Sequence, residues 1–169
     1  MFCRVNRLKL KVHSLTGRIT PLLMYKAFKN VKRNRGAAGI DKVSIQMFEA
    51  NLHENLEALM RELKTRDAFQ PKPLRRVLIP KGKGKIRPLG IPAVRDRVAQ
   101  EVLRLLLSPI FEPLFHENSF GFRPGRNCHQ ALERVLALWR EGYRVVLDAD
   151  IQGFFDNIPH LGLWPVWRT

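Results

Sequence analysis

The stretch Leu74-Arg75-Arg76-Val77-Leu78-Ile79-Pro80-Lys81-Gly82-Lys83-Gly84-Lys85-Ile86-Arg87-Pro88-Leu89-Gly90 decides the fold. A run from Leu74 to Ile79 and a shorter one from Ile86 to Gly90 flank a glycine-bearing turn, which predicts a β-hairpin. Its tip holds Lys81, Lys83 and Lys85 and is strongly basic. Upstream, Leu52, Leu56, Leu59 and Leu63 form a helical stripe that ends before Pro71 and Pro73, and Ser44 caps a short helix ahead of it. Further upstream, Thr20 stands as N-cap before Pro21, and Leu22, Leu23, Ala27, Phe28 and Val31 carry a helix to about Lys32. Between these helices lies the loop Arg33-Asn34-Arg35-Gly36-Ala37-Ala38-Gly39.

Downstream, Val98, Val102, Leu105 and Leu106 mark a helix over 94–107, which Pro109 is expected to end. Asn127 is placed to cap another helix, with Leu132, Val135, Leu136 and Trp139 facing inward and Gly142 as its stop. Tyr143 to Asp150, centred on Val145-Val146-Leu147, reads as a strand. The order α-α-β-β-α-α-β, without repeat or low-complexity linker, predicts an α+β unit.

Charge narrows the function. Thirty Lys and Arg face fifteen Asp and Glu, a net charge of +15. Residues 1–40 hold ten basic side chains and no acid, and residues 68–95 hold eight more and again no acid. By contrast, residues 41–63 mix five acids with two bases, as a solvated helix face does. Two acid-free basic segments imply two surfaces touching an anionic polymer, since each neutralised phosphate releases counterions. A merely soluble basic protein is the plainer alternative.

Cys3 and Cys128 lie far apart without ligand spacing, which argues for a reducing compartment and against both a disulfide framework and a zinc site. No apolar run approaches the roughly 18 residues of a membrane span, so no membrane partner is expected. The basic N-terminus has only one Ser before residue 20, Ser14, which fits an organelle transit peptide poorly. The expectation is a cytoplasmic protein, an organelle being the less favoured location.

Four constellations could carry chemistry. On the hairpin, Lys81 and Arg87 suit a triphosphate or backbone phosphate, although lysines also serve simply to keep a hairpin soluble. Asp148 and Asp150 close a buried-type strand, where a carboxylate on a rigid element commonly holds Mg²⁺; a capping or paired structural carboxylate is the alternative. Phe154 and Phe155 follow as an aromatic pair, able to stack on a sugar or base, although such a pair is more often simply core. In Ser119-Phe120-Gly121-Phe122-Arg123-Pro124-Gly125-Arg126, aromatics could stack and Arg123 and Arg126 could reach phosphates; a structural loop is the alternative. The five histidines show no ligand spacing.

Taken in order, four segments resemble the reverse transcriptases and maturases encoded by group II introns. They are Asn34-Arg35-Gly36-Ala37-Ala38-Gly39-Ile40-Asp41; Ile79-Pro80-Lys81 through Arg87-Pro88-Leu89-Gly90-Ile91-Pro92; Ser119-Phe120-Gly121-Phe122-Arg123-Pro124; and Asp150-Ile151-Gln152-Gly153-Phe154-Phe155-Asp156-Asn157-Ile158. The resemblance runs from about Leu15 to His160. It implies the fingers and the start of the palm of a right-hand polymerase. The implied layout is an N-terminal extension with a template-lid loop (1–42), fingers (43–142), the first palm strand (143–160) and an atypical tail (161–169).

The resemblance also implies roles. Arg33, Asn34, Arg35 and Gly36 would lie over the template strand, with Lys83, Lys85, Arg123 and Arg126 as further nucleic-acid contacts. Lys81 and Arg87 would face the incoming dNTP, and Phe155 would exclude a ribose 2′-hydroxyl. Asp150 and the Ile151 carbonyl would hold Mg²⁺, whereas Asp148 is often acidic in this family without ligating metal. RNA template, DNA primer, dNTP and intron RNA are the implied partners. The family's second acidic motif, a Tyr/Phe-x-Asp-Asp hairpin, does not occur in these residues, nor do the remaining palm and the thumb. The expectation is therefore a truncated fragment without polymerase activity of its own, possessing a missing C-terminal half as a further partner. A non-catalytic RNA-binding module that assists intron folding is the alternative.

Overall fold

The structure is a computed structural model that describes residues 15–82, 84, 86–154 and 157–159. The chain divides between Phe115 and His116 into two compact units.

In the first unit, a 3₁₀ turn at Leu15–Arg18 leads into α1 (Pro21–Arg33). The Thr20 hydroxyl accepts the Leu23 N–H at 3.2 Å, satisfying a donor that the first helical turn leaves open. Helix α2 (Ile45–Ala50) is capped in the same way by Ser44, which accepts the Met47 N–H at 3.1 Å. Helix α3 (Leu52–Lys64) follows, then β1 (Arg75–Pro80), β2 (Ile86–Ile91) and α4 (Val94–Phe111).

The core is helical. Met24, Ala27, Phe28 and Val31 of α1 pack with Ile45 and Phe48 of α2, Leu56 and Leu59 of α3, and Val94, Val98, Ala99, Val102 and Leu106 of α4. Phe28 stacks on Phe48 with ring centroids 5.7 Å apart. Full burial of side chains of this size contributes about 1.5–3 kcal/mol each, so this cluster rather than the sheet holds the unit together. Leu22, expected on the apolar face of α1, points to solvent instead. The α3 stripe behaves as its spacing predicts, with Leu56 and Leu59 buried and Leu52 and Leu63 packed at the margin. At the carboxyl end of α3, Glu62 pairs with Arg95 of α4, whose guanidinium also lies 5.2 Å from the Phe69 ring.

Strands β1 and β2 form an antiparallel two-stranded sheet in the register Arg75↔Ile91 through Pro80↔Ile86. The chain thus combines helices with a small antiparallel sheet, as an α+β reading requires.

Besides Leu22, the expectations for Pro109, for residues 143–150 and for the α5 stripe need correction. Pro109 does not end α4, which runs on to Phe111 and passes into a 3₁₀ turn at Glu112–Leu114. The proline removes one N–H within the last turn, where the following tighter turn already alters the hydrogen-bond ladder.

The second correction concerns residues 143–150 of the second unit, which carry no strand. Val145, Val146 and Leu147 are 92%, 81% and 90% exposed. A strand exists only through a ladder, and among the described residues no strand pairs with this segment, so β propensity alone does not order it. The same unit holds α5 (Cys128–Arg140), capped by a reciprocal Asn127–Gln130 box and followed by Gly142 at φ +102°. Its stripe of Leu132, Val135, Leu136 and Trp139, expected inward, is exposed. The helix forms from its caps and periodicity, but no described element covers its apolar face. Phe155, Asp156 and residues 160–169 lie outside the described residues, as do residues 1–14, Lys83 and Lys85.

Candidate nucleic-acid interface

The two acid-free basic segments of the first unit meet at the amino end of α4. Leaving α1, the Asn34 N–H donates to the Asn30 carbonyl at 3.1 Å, and Arg35 takes a left-handed φ of +51°. Gly36 follows at φ +139°, a conformation L side chains rarely adopt. Arg97, in the first turn of α4, reaches beneath this loop and donates from Nη2 to the Ala37 carbonyl at 2.7 Å. Burial draws its guanidinium below its ordinary pKa, while the Asp41 carboxylate pulls the other way. Gly39 then lies directly on the helix start: a Cβ there would sit 2.6 Å from Ala93 Cα and 2.7 Å from Ala93 N. Only glycine permits that approach.

The loop ends at Asp41, whose carboxylate pairs with Lys72 Nζ at 3.0 Å and accepts the Val43 N–H at 3.2 Å. Burial alone would raise the Asp41 pKa, but Lys72 and the backbone donors outweigh it and hold the carboxyl below its ordinary value. Lys72 also donates its backbone N–H at 2.9 Å to Asp96 of α4, a carboxylate only 3% exposed. The other Asp96 oxygen, Oδ1, is buried without a partner among the described residues. Lys72 stands just before β1, and Pro92-Ala93 join β2 to α4. The loop and the base of the hairpin are therefore fixed to the same helix end.

What this anchor presents is cationic. Arg33, Arg35, Lys81 and Arg87 are exposed. Among the described residues, the side chains of Arg35, Lys81 and Arg87 make no salt bridge. The register places Arg87 opposite Ile79, two residues before Lys81. Gly82 and Gly84 take φ +80° and +72° in the turn between. An apolar cavity of about 400 Å³ lies between α1 and α3, and no side chain of the glycine loop or of the hairpin lines it.

The second unit uses its arginines differently. Arg123 Nη1 donates to the carbonyls of His116 and Ser119, both at 2.9 Å. Arg126 donates to the Glu117 carbonyl at 3.0 Å and lies 5.4 Å from the Phe120 ring. Both guanidinium groups therefore brace the 116–127 loop. Phe122 projects fully into solvent at φ +56°.

Asp150 sits in the exposed segment, its Oδ1 accepting the Ile151 N–H at 2.9 Å. A hard divalent cation such as Mg²⁺ takes about six oxygen ligands in near-octahedral geometry. Among the described residues, no three His, Cys, Asp or Glu side chains gather to hold one. Asp150 and the Ile151 carbonyl alone do not make that set.

A family model described as reverse transcriptase (RNA-dependent DNA polymerase) matches residues 79–168, just over half of the chain. The group II intron-encoded protein LtrA of Lactococcus lactis subsp. cremoris is 38% identical over 148 residues, covering 86% of this chain and 24% of LtrA. The chain belongs to the group II intron reverse transcriptase/maturase family. Protein YkfC of Escherichia coli K12 is 40% identical over 158 residues, 89% of this chain and 41% of that protein. Nuclear intron maturase 1, mitochondrial, of Arabidopsis thaliana is 37% identical over 79 residues, 45% of this chain and 11% of that protein. The chain thus spans under half the length of these curated relatives. Matches covering 86% and 89% of the chain necessarily include both the glycine loop and the hairpin, so the anchored surface lies within the family likeness.

Among the described residues, no helix is long and apolar enough to cross a membrane. Sequence reasoning missed Arg97, Lys72 and Asp96 as the fixings of the loop and hairpin. A visible signal existed for Arg97: a basic residue in the first turn of a helix, where the helix dipole disfavours it, asks for an outside acceptor.

Proposed function

We propose that this chain supplies the RNA-gripping surface of a group II intron reverse transcriptase/maturase. The observation that carries it is the shared anchor: two cationic segments without acids, both fixed to the amino end of α4. Arg33, Asn34, Arg35 and Gly36 contact the template strand's backbone, and Lys81 and Arg87 take the phosphates of an incoming dNTP. Lys83 and Lys85 extend the same charge at the hairpin tip. Sequence choice in such an enzyme comes from base pairing, so the protein needs a grip on phosphate more than a reading of bases.

Polymerisation by two-metal chemistry requires several carboxylates around the ions. Asp150 with the Ile151 carbonyl would be one contribution to a Mg²⁺ site, and Phe155 would be the aromatic beside the nucleotide sugar. The 169-residue chain by itself is expected to bind RNA and not to extend a DNA primer. Residues 143–150 then belong to a palm whose sheet other residues of the complete enzyme would provide.

A second reading, a non-catalytic module that helps intron RNA fold, is favoured by the solvent-exposed setting of Asp150. RNA binding by the purified chain, with and without Mg²⁺ and with Asp150→Ala, separates the two. Binding that strengthens with Mg²⁺ and depends on Asp150 supports the polymerase reading. Tight binding indifferent to both supports the module. Primer extension above a no-enzyme control, abolished by Asp150→Asn, would overturn the expected inactivity.

A further inference from the structure

Beside the glycine loop lies a polar cleft of about 270 Å³, lined by Val31, Asn34, Arg35, Arg97, Gln100, Glu101 and Arg104. One wall is the end of α1 and the loop. The other is a single face of α4, because positions 97, 100, 101 and 104 recur at three- and four-residue spacing.

The cleft is arranged for an anion. Its one carboxylate, Glu101, is already spent: Arg104 donates to it from Nε at 2.7 Å and Nη2 at 2.6 Å, and Asn30 Nδ2 donates at 2.7 Å. Arg104 and then Asn30 hold the Glu101 carboxyl below its ordinary pKa against the effect of burial. The carboxylate therefore acts as an orienting group, fixing the Arg104 fork from behind. Arg97 is held by the Ala37 carbonyl and has its Nε buried without a partner among the described residues. On the opposite wall the Arg35 side chain, and on the α4 face the exposed Gln100 amide, bond to none of the described residues. Three guanidinium groups and the amides of Asn34 and Gln100 thus line a space whose one carboxylate is already paired.

We propose that this cleft binds a phosphodiester of the RNA strand, with Gln100 and Arg104 of α4 gripping it together with Arg35. The inference rests on the proposed RNA-binding reading and extends it to a helix face outside the basic segments. The same phosphate chemistry is carried by a free nucleotide, and the experiment distinguishes the two sources.

Binding of a labelled single-stranded RNA to the full chain is measured for wild type, Gln100→Glu, Gln46→Glu and the double variant Arg33→Ala/Arg35→Ala. Gln46 is exposed on α2, away from the cleft lining. Both glutamate variants change net charge equally, and both sites are at the surface, so folding is not at issue. Gln100→Glu is expected to weaken RNA binding roughly tenfold, as a carboxylate set against a bound phosphate should, and Gln46→Glu about twofold or less. Gln100→Ala, with no change of charge, is expected to reduce affinity about threefold.

Equal losses for Gln100→Glu and Gln46→Glu would overturn the cleft proposal, while a large loss in the Arg33/Arg35 variant would leave the wider RNA reading standing. No loss in the Arg33/Arg35 variant would instead remove that wider reading. Millimolar dNTP serves as competitor. Displacement of RNA from wild type but not from Gln100→Glu would assign the cleft to free nucleotide and overturn the RNA assignment.

Discussion

Replacing Gly39 by alanine tests the packing on which the interface depends. The added Cβ would fall 2.6 Å from Ala93 Cα, 2.7 Å from Ala93 N and 3.1 Å from Pro92 C. Carbon atoms in contact prefer about 3.5–4.0 Å, so the gap must open by roughly 1 Å. All three neighbours are backbone atoms, and none can rotate aside. Ala93 and Val94 are both 0% exposed and locked in the core, so the exposed loop is the part that yields. Forced overpacking of this kind costs typically 1–3 kcal/mol, and the backbone character of the clash places Gly39→Ala near the middle, at about 2. Urea denaturation followed by far-UV circular dichroism should show a lower midpoint with an unchanged slope. RNA affinity should fall as well, because the Ala37 carbonyl moves away from Arg97 and Arg35 moves with it. Gly17→Ala, where a Cβ meets nothing within 4 Å, is the control and should be neutral. A Gly39→Ala chain within about 0.5 kcal/mol of wild type, with normal RNA affinity, would refute the docking of the loop on α4.

Acid should loosen the same region. Asp41 and Glu101 have folded pKa values below their ordinary 3.8 and 4.5. Their stabilisation is therefore complete above those values and is lost as pH falls through the depressed ones. A pH series of unfolding midpoints should show this, with the acid limb flattened in Asp41→Asn. Arg123→Ala should increase amide exchange across residues 116–127 while leaving the salt dependence of RNA binding unchanged, since that guanidinium braces carbonyls. A reduced salt slope would return Arg123 to the phosphate contacts. Val146→Lys should alter the unfolding midpoint by less than about 0.5 kcal/mol, because that side chain buries nothing here. A larger loss would mean that residues 143–150 are packed after all.

Much of the first unit was legible because its signals are local. Thr20 and Ser44 cap helices of that unit where their hydroxyls predict, as the Asn127 amide does in the second, and the α3 and α4 stripes bury or half-bury the residues their spacing selects. The hairpin follows from two short runs around a glycine turn. Where partners lie far along the chain, the sequence is silent. Nothing in the spacing of Lys72 shows that it bonds both Asp41 and Asp96, 31 residues back and 24 residues ahead of it. Arg97 is read as one more positive charge until the Ala37 carbonyl is seen beside it. Val145-Val146-Leu147 has the composition of a strand, yet ladder partners decide strands. Likewise, the α5 stripe specifies an apolar face without specifying what covers it. That Arg123 and Arg126 donate to backbone carbonyls is hidden in the same way, because composition does not reveal acceptors.

The central claim is that the glycine loop and the hairpin hold an RNA backbone by charge. Its most direct test is the slope of log affinity against log salt for a single-stranded RNA. That slope is compared between wild type and a chain with Arg33, Arg35, Lys81 and Arg87 all changed to alanine. Each single-strand phosphate contact contributes about 0.7 to the slope, and with no dNTP present Lys81 and Arg87 take RNA phosphates too, so the variant should lose roughly 2–3 of it along with most of its affinity. An RNA affinity that ignores salt, or a slope that survives all four substitutions, would contradict the account.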